Sequence, residues 1–501
     1  MSASASKKKR RDFDPAQENL VKKADKKPAT GKKIVIGLVA ALVAVALIIT
    51  VGVLVKREDY QVKYDITKPA MTVGDYEVSV PMFNFFYTSL LNNYLNSGYM
   101  SYGLIQQGTP LSQQTYLGSL SGEEGPTWEE QLITETKTQI TNTVNMYLAA
   151  KEAGYTLTED DKTAIEDSVK SIKSSAKANG YNFFGLTVNW FIADYFGSGC
   201  NLDNYREFAE LTQTGAGFAE KKDAEFDPSD DEIAAEYAEN PNDYDLVTYA
   251  LLTFNATSDG TDEEGTATYS DDALAAVKAD AEAAVKAFDG ETATVATKGY
   301  SSVVSSTNED AAIWLFNTAK EGDVKSFASE DKKTYYVVRY DGREYNDYCR
   351  ISADVISFAY DAEGTEPEKG TLSAAEKYSK LCDGVKSGIS TEDFAAQAEK
   401  LELTVSARAV DRYAMNEQIT SFLYDSARKD GDILTLADDA SSTYYVIRFT
   451  AAEEDTYQKQ LVRSALHDAA SQAWTDEVYA ANTAVEDDTA IANAYTDRIY
   501  G

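Results

Sequence analysis

The sequence predicts an α+β multidomain chain. It has one transmembrane helix near the N-terminus, an all-α domain completed by a C-terminal helix, and two copies of a smaller α+β domain inserted between the two parts of the helical one. Three observations carry this expectation. Residues 34–55, IVIGLVAALVAVALIITVGVLV, run uncharged between Lys33 and Lys56. Apolar residues recur at helical spacing from Phe83 to Tyr237. From Leu246 onward, strand and helix patterns alternate and then return in the same order.

At a rise of about 1.5 Å per residue the uncharged run spans roughly 33 Å, enough for a hydrocarbon core of about 30 Å. A cleaved signal peptide has a shorter apolar region and a small-residue cleavage site, whereas Leu54, Val55, Lys56 and Arg57 follow here. A lipid anchor needs a cysteine just after the run, and the first is Cys200. Residues 1–33 hold nine Lys and two Arg against Asp12, Asp14, Glu18 and Asp25. The excess of positive charge places that tail in the cytoplasm. The expectation is therefore a single-pass protein of the cell membrane, N-terminus cytoplasmic and ectodomain extracytoplasmic from Glu58. The basic cluster KKKRR at 7–11 is expected to meet anionic membrane lipid.

The chain as a whole carries −35 despite that tail, so the remainder is strongly acidic. Such a surface stays soluble and repels nucleic acid. Its 33 Tyr argue against disorder, and its length allows roughly two to four domains. Cys200, Cys349 and Cys382 have no CxxC or metal-ligand spacing, and read as buried thiols with room for one disulfide. No calcium-loop, Walker or Rossmann pattern occurs, so no metal or cofactor is expected. The single histidine, His467, lies mid-helix without a catalytic partner nearby in sequence and reads as structural.

Taken in order, 71–80 form an extended pair around Gly74-Asp75. A helix follows with Pro81 in its first turn and Phe83, Phe86, Tyr87, Leu90, Leu91 and Tyr94 on a broad buried face. Residues 98–126, rich in Gly, Ser, Gln and Tyr, read as a long mobile loop. Thr127 and Glu130 make a capping box for a helix burying Trp128, Leu132, Ile140, Val144 and Leu148. Thr158 opens a helix with the narrow stripe Ile165, Val169 and Ile172, and further helices lie at 190–196 and 203–212. Ser229 and Glu232 form a second capping box. Residues 58–243 are thus read as the helical domain.

The two inserted copies, 244–345 and 346–452, can be matched residue by residue. WLFNTAK (314–320) answers FLYDSAR (422–428), Gly322-Asp323-Val324 answers Gly431-Asp432-Ile433, and TYYVVRY (334–340) answers TYYVIRF (443–449). After the second copy, 456–480 is an amphipathic helix with Leu461, Val462, Leu466, Ala469, Ala473 and Trp474 toward one side. It has no partner in its own segment, so 453–501 is assigned to the helical domain as its C-terminal part.

The stretches VGDYEVSVPMFNFFY, LAAKEAGYTLTEDD, SDDEIAAEYAENPNDYDLV and the closing QAWTDEVY, in this order, resemble the PrsA/SurA-type extracytoplasmic folding factors. In that family a helical chaperone domain brackets one or two parvulin-type peptidyl-prolyl isomerase domains. The resemblance implies a SurA-N-like helical domain, parvulin-like copies and, as partners, unfolded or newly exported polypeptides.

The family's isomerase domains carry a histidine on the opening strand, another on the closing strand, and a Gly-Gly-Asp-Leu-Gly loop between. Here the first histidine position holds Ala250 in copy one and Asp354 in copy two, and the second holds Tyr336 and Tyr445. The loop is replaced by ATKGYSS and VSARAVD. Met415 and Ile419 of copy two fall where the family has the apolar seat for the proline ring. Turning an X-Pro bond needs such a seat and a polar network that favours the twisted amide, but no nucleophile. No catalytic residue is therefore assigned. Met415, Ile419, Tyr445, Asp354 and Tyr336 are the candidate substrate-binding positions, and both copies are read as degenerate binding or spacer domains of a membrane-anchored foldase. The alternatives are an active isomerase with a rebuilt site in copy two, and a structural envelope protein that binds one fixed partner.

Overall fold

A computed structural model describes residues 68–117, 125–181, 188–362, 364, 371–388, 391–413, 415–494 and 496. They fall into two units. One holds the described residues up to Phe226 together with those from Ala469 onward, and the other spans Asp227–Asp468.

In the first unit, β1 (Pro69–Val73) pairs with β2 (Tyr76–Ser79) across a two-residue turn. Gly74 sits there at φ +62°, and a Cβ would meet the Leu148 side chain at 3.0 Å, so glycine is required twice over. The free side of β1 is taken by β13 (Ala484–Glu486), with Met71 opposite Glu486 and Val73 opposite Ala484. This three-stranded sheet, order β13-β1-β2, corrects the all-α expectation for the unit. Three residues without alternation give β13 no sequence signal of its own.

Helix α1 (Val80–Asn96) is capped by Ser79, whose hydroxyl accepts from the Met82 N–H. It buries Val80, Met82, Phe83, Phe85, Phe86, Tyr87 and Leu91, nearly its whole circumference, so the other helices assemble around it. The Thr127–Glu130 capping box opens α2 (Trp128–Glu152). Trp128 is fully buried, donates from Nε1 to the Leu104 carbonyl at 2.8 Å, and is met by the rings of Tyr94, Tyr99 and Tyr116. Residues 98–117 are therefore wrapped on Trp128 and are not the loose loop their composition suggests. Helices α3 (Glu159–Ala178), α4 (Val188–Phe196) and α5 (Leu202–Asp223) complete the layer. Gly215 brings α5 against α2, since a Cβ there would lie 3.4 Å from Met146.

The last helix of substantial length is α13 (Tyr457–Tyr479). Its residues from Ala469 belong to the first unit, where Trp474 packs on Phe218 and Phe226 and Val478 joins Met146 and Ala150. Asn145 of α2, fully buried, donates to the carbonyls of Tyr479 and Asn482 at 2.9 Å each. The short α14 (Asp488–Ile491) follows, and Tyr87 Oη donates to the Thr496 carbonyl.

No helix among the described residues is long and apolar enough to cross a membrane. The two longest spread charge along their length: α2 carries Glu129, Glu130, Glu135, Lys137, Lys151 and Glu152, and α13 carries Lys459, Arg463, Asp468, Asp476 and Glu477. The transmembrane helix expected at 34–55, and with it the single-pass cell-membrane location with a cytoplasmic N-terminus and extracytoplasmic ectodomain, is corrected accordingly. The apolar run and the basic tail lie outside the described residues.

The second unit begins with α6 (Asp230–Glu239), capped by Ser229 and Glu232, whose Ile233 packs with Tyr244 and Val462. Copy one comprises β3 (Leu246–Asn255), the small hairpin β4 (Gly260–Thr261) and β5 (Ala267–Thr268), α7 (Asp271–Lys286) and β6 (Thr294–Lys298). It closes with α8 (Tyr300–Ser306), α9 (Glu309–Asn317), β7 (Val324–Ala328) and β8 (Thr334–Glu344). Copy two comprises β9 (Cys349–Ala359), α10 (Ala374–Lys386), α11 (Thr391–Lys400) and β10 (Ser406–Val410). It ends with α12 (Glu417–Leu423), β11 (Ile433–Asp438) and β12 (Thr443–Thr456).

Both sheets are antiparallel and share one order, β6-β3-β8-β7 and β10-β9-β12-β11. Each is covered on two faces. In copy one α7 packs on Leu252, Phe254, Tyr335 and Val337, and α8 and α9 on Val247, Tyr249 and Val338. In copy two α10 and α11 take the face of Ile356 and Val446, and α12 that of Ala353, Val355 and Ile447.

Candidate functional site

The sheet register decides what the repeated domains can do. In copy two Asp354 lies opposite Arg448, while Tyr445 lies opposite Ser357. Positions 354 and 357 are three residues apart on one strand, so their side chains leave opposite faces. In copy one Ala250 lies opposite Arg339 and Tyr336 opposite Thr253, with the same result. In neither copy do the two matched histidine positions face one another.

Asp354 is engaged otherwise. Its carboxylate accepts from Arg448 Nη1 at 3.0 Å, and Arg448, only 4% exposed, also pairs with Asp430. In copy one the equivalent Arg339 turns to Asp341 instead, at 2.6 and 3.0 Å, and lies over the Phe288 ring. Arg448 was not singled out from sequence. The signal lay in TYYVIRF, where it shares the face of Val446 and so puts a charge at a buried position.

Met415, Ile419 and Tyr445 are brought together in one cluster beneath α12. Ile419 is fully buried there, with Met415 and Tyr445 half-buried at the margin. Tyr336 occupies the corresponding place in copy one beside Trp314 and Phe327. His467 Nδ1 lies 3.3 Å from the carboxylate of Asp468 on α13. No disulfide joins the three cysteines; Cys200 is buried, and Cys349 and Cys382 are half-buried rather than buried. Among the described residues no group of three His, Cys, Asp or Glu side chains is placed to hold a metal ion.

The first unit contains a cavity of about 290 Å³ between α1, α2, α4 and α5, with Tyr479 at its edge. Its floor is apolar: Phe86 and Phe208 meet edge to face at 4.9 Å, flanked by Met146 and Phe196. Its walls are uncharged and polar. Asn92 is buried and donates to Tyr195 Oη at 3.3 Å, while the amides of Asn93, Gln139 and Asn142 have no hydrogen-bond partner among the described residues. The hydroxyls of Thr143 and Thr212 donate to their own helices, leaving lone pairs toward the cavity. Gly215, Ala216 and Ala219 keep the α5 wall low. Among the described residues no Asp, Glu, Lys, Arg or His lines it, in a chain of net charge −35. Sequence reading missed this site because its amides are spread over α1 and α2 and show no motif.

No family model matches the chain, and a search of curated proteins finds no significant match.

Proposed function

We propose that the chain is a polypeptide-binding folding factor. The cavity of the first unit holds an extended, uncharged segment of unfolded polypeptide, and the two repeated domains act as binding or spacer modules with a degenerate parvulin-like site. The observation that carries this reading is the cavity's lining. A peptide backbone is polar but neutral, so a site that takes it out of water must supply amide donors and acceptors without fixed charge. Asn93, Gln139 and Asn142 supply these, while Phe86, Phe208 and the adaptable Met146 receive apolar side chains. The separation of Asp354 from Tyr445 and of Ala250 from Tyr336 supports a non-catalytic role for the copies, because no joint polar network can form at those positions.

The test is Ala216→Trp, which fills the cavity from an exposed position on α5. Denying one apolar client side chain its seat is worth about 1.5 to 3 kcal/mol, or roughly tenfold or more in affinity. Suppression of aggregation of a chemically unfolded protein should weaken by that factor, with the unfolding temperature unchanged. Undiminished suppression by the folded variant would refute the proposal.

A further inference from the structure

The sheet edges of the two copies are not protected alike. Strand edges expose unpaired N–H and C=O groups, and proteins blunt them with charge, shortness or cover. Lys325 lies inside β7 and Arg408 inside β10, while β11 is half-buried from Ile433 to Leu436. The edge strand β6 is as short as β7 and β10, but its one charge, Lys298, stands at its last residue, where Nζ donates to Ser306 Oγ at 2.6 Å. Residues 292–297, TATVAT, are uncharged and free of proline, and Val295 is 59% exposed. Among the described residues strand β6 pairs only with β3, Val295 standing opposite Ala250. No other backbone partner bonds 293–297 among the described residues.

We infer that the β6 edge is a second polypeptide-binding site, which takes an extended, uncharged segment of another protein as an added antiparallel strand. The inference shares with the proposed function only the class of partner. Main-chain hydrogen bonds would supply the affinity, and Val295 would favour an apolar or β-branched residue across from it. The chain's own charge of −35 argues against a second copy as the occupant, because two such surfaces repel. Copy two holds the guarding Arg408 at the position corresponding to Ala296, so the activity is assigned to copy one alone.

The test uses the full chain and labelled eight-residue peptides of alternating Thr and Val, read by fluorescence anisotropy and hydrogen exchange. Bound peptide should protect amides within 292–298, and N-methylation of alternate peptide amides should weaken binding by about tenfold or more. Val295→Lys changes an exposed side chain. It should weaken the uncharged peptide about threefold and strengthen one with a central Glu by a similar factor, a reversal that simple misfolding cannot produce. Unchanged exchange in 292–298, or equal binding of the N-methylated peptide, would overturn the inference. So would dimerisation of the free chain that Val295→Lys abolishes. Peptide binding lost in Ala216→Trp but untouched by Val295→Lys would overturn it too, while leaving the cavity reading intact.

Discussion

Asn145 and Asn142 stand one turn apart on α2 and should behave in opposite ways. The Asn145 amide is fully buried and makes three hydrogen bonds to the C-terminal segment, two to the carbonyls of Tyr479 and Asn482 and one from the Asn482 amide at 2.8 Å. Asn145→Leu keeps the volume and removes all three. At about 1 kcal/mol each, with two carbonyls left unpaired, the loss is about 3 kcal/mol or somewhat more. For a unit of this size about 1 kcal/mol shifts the midpoint by roughly 2–4 °C, so a fall of about 6–12 °C is expected. Asn142 lines the cavity without a side-chain partner, and Asn142→Leu should change stability by no more than about 0.5 kcal/mol. Thermal unfolding followed by circular dichroism and by tryptophan fluorescence, with Trp474 beside Phe218 and Phe226 as the local reporter, separates the two. Equal shifts for both variants would refute the claim that residues beyond Tyr479 are clamped to α2 through Asn145.

Installing histidines at 354 and 445 should create no isomerase, since the two positions face opposite sides of the sheet; a marked acceleration of prolyl isomerisation in a peptide assay by the double variant would contradict the register. Met415→Asp should likewise leave aggregation suppression intact, because Met415 lies in copy two and not in the cavity, and loss of suppression by the folded variant would move the site. Burial, reinforced by hydrogen bonds to Asp245 and Glu236, pushes the phenols of Tyr237 and Tyr244 up from 10 to about 12, and burial does the same for Tyr348. These groups hold their protons in the folded state after the unfolded chain has lost its own, so their contribution is complete below pH 10 and disappears as the pH rises to about 12. Urea midpoints should fall steeply across that window, with phenolate absorbance rising as the second unit unfolds; phenols that all titrate near 10 in the folded protein would contradict this.

Much of the fold was legible where local chemistry decides it. The Thr127–Glu130 and Ser229–Glu232 boxes mark helix starts because their reciprocal bonds involve residues three apart. The repeat was legible because two copies of one fold pack equivalent residues against equivalent cores, as they do Tyr336 and Tyr445. What failed depended on distant chain. Residues 98–117 looked loose because their order comes from the Trp128 ring, and the all-α expectation fell to β13, whose pairing with β1 joins residues over 400 apart. The span at 34–55 followed from hydropathy alone, and the two longest helices described carry charge along their length. Motif matching placed Asp354 and Tyr445 at related positions, but a strand's twofold alternation put them on different faces. Arg448, which takes up Asp354, became visible only once the register was known.

The central claim is that unfolded polypeptide lies in the uncharged cavity of the first unit. A photo-crosslinking residue placed at Asn93, on the exposed rim of that cavity, tests it most directly, with the same residue at Tyr413 of copy two as the reference. In the presence of a chemically unfolded client, the account predicts strong crosslinking from position 93 that an excess of uncharged peptide displaces and Ala216→Trp removes. Crosslinking from position 413 alone, with none at 93, would contradict it.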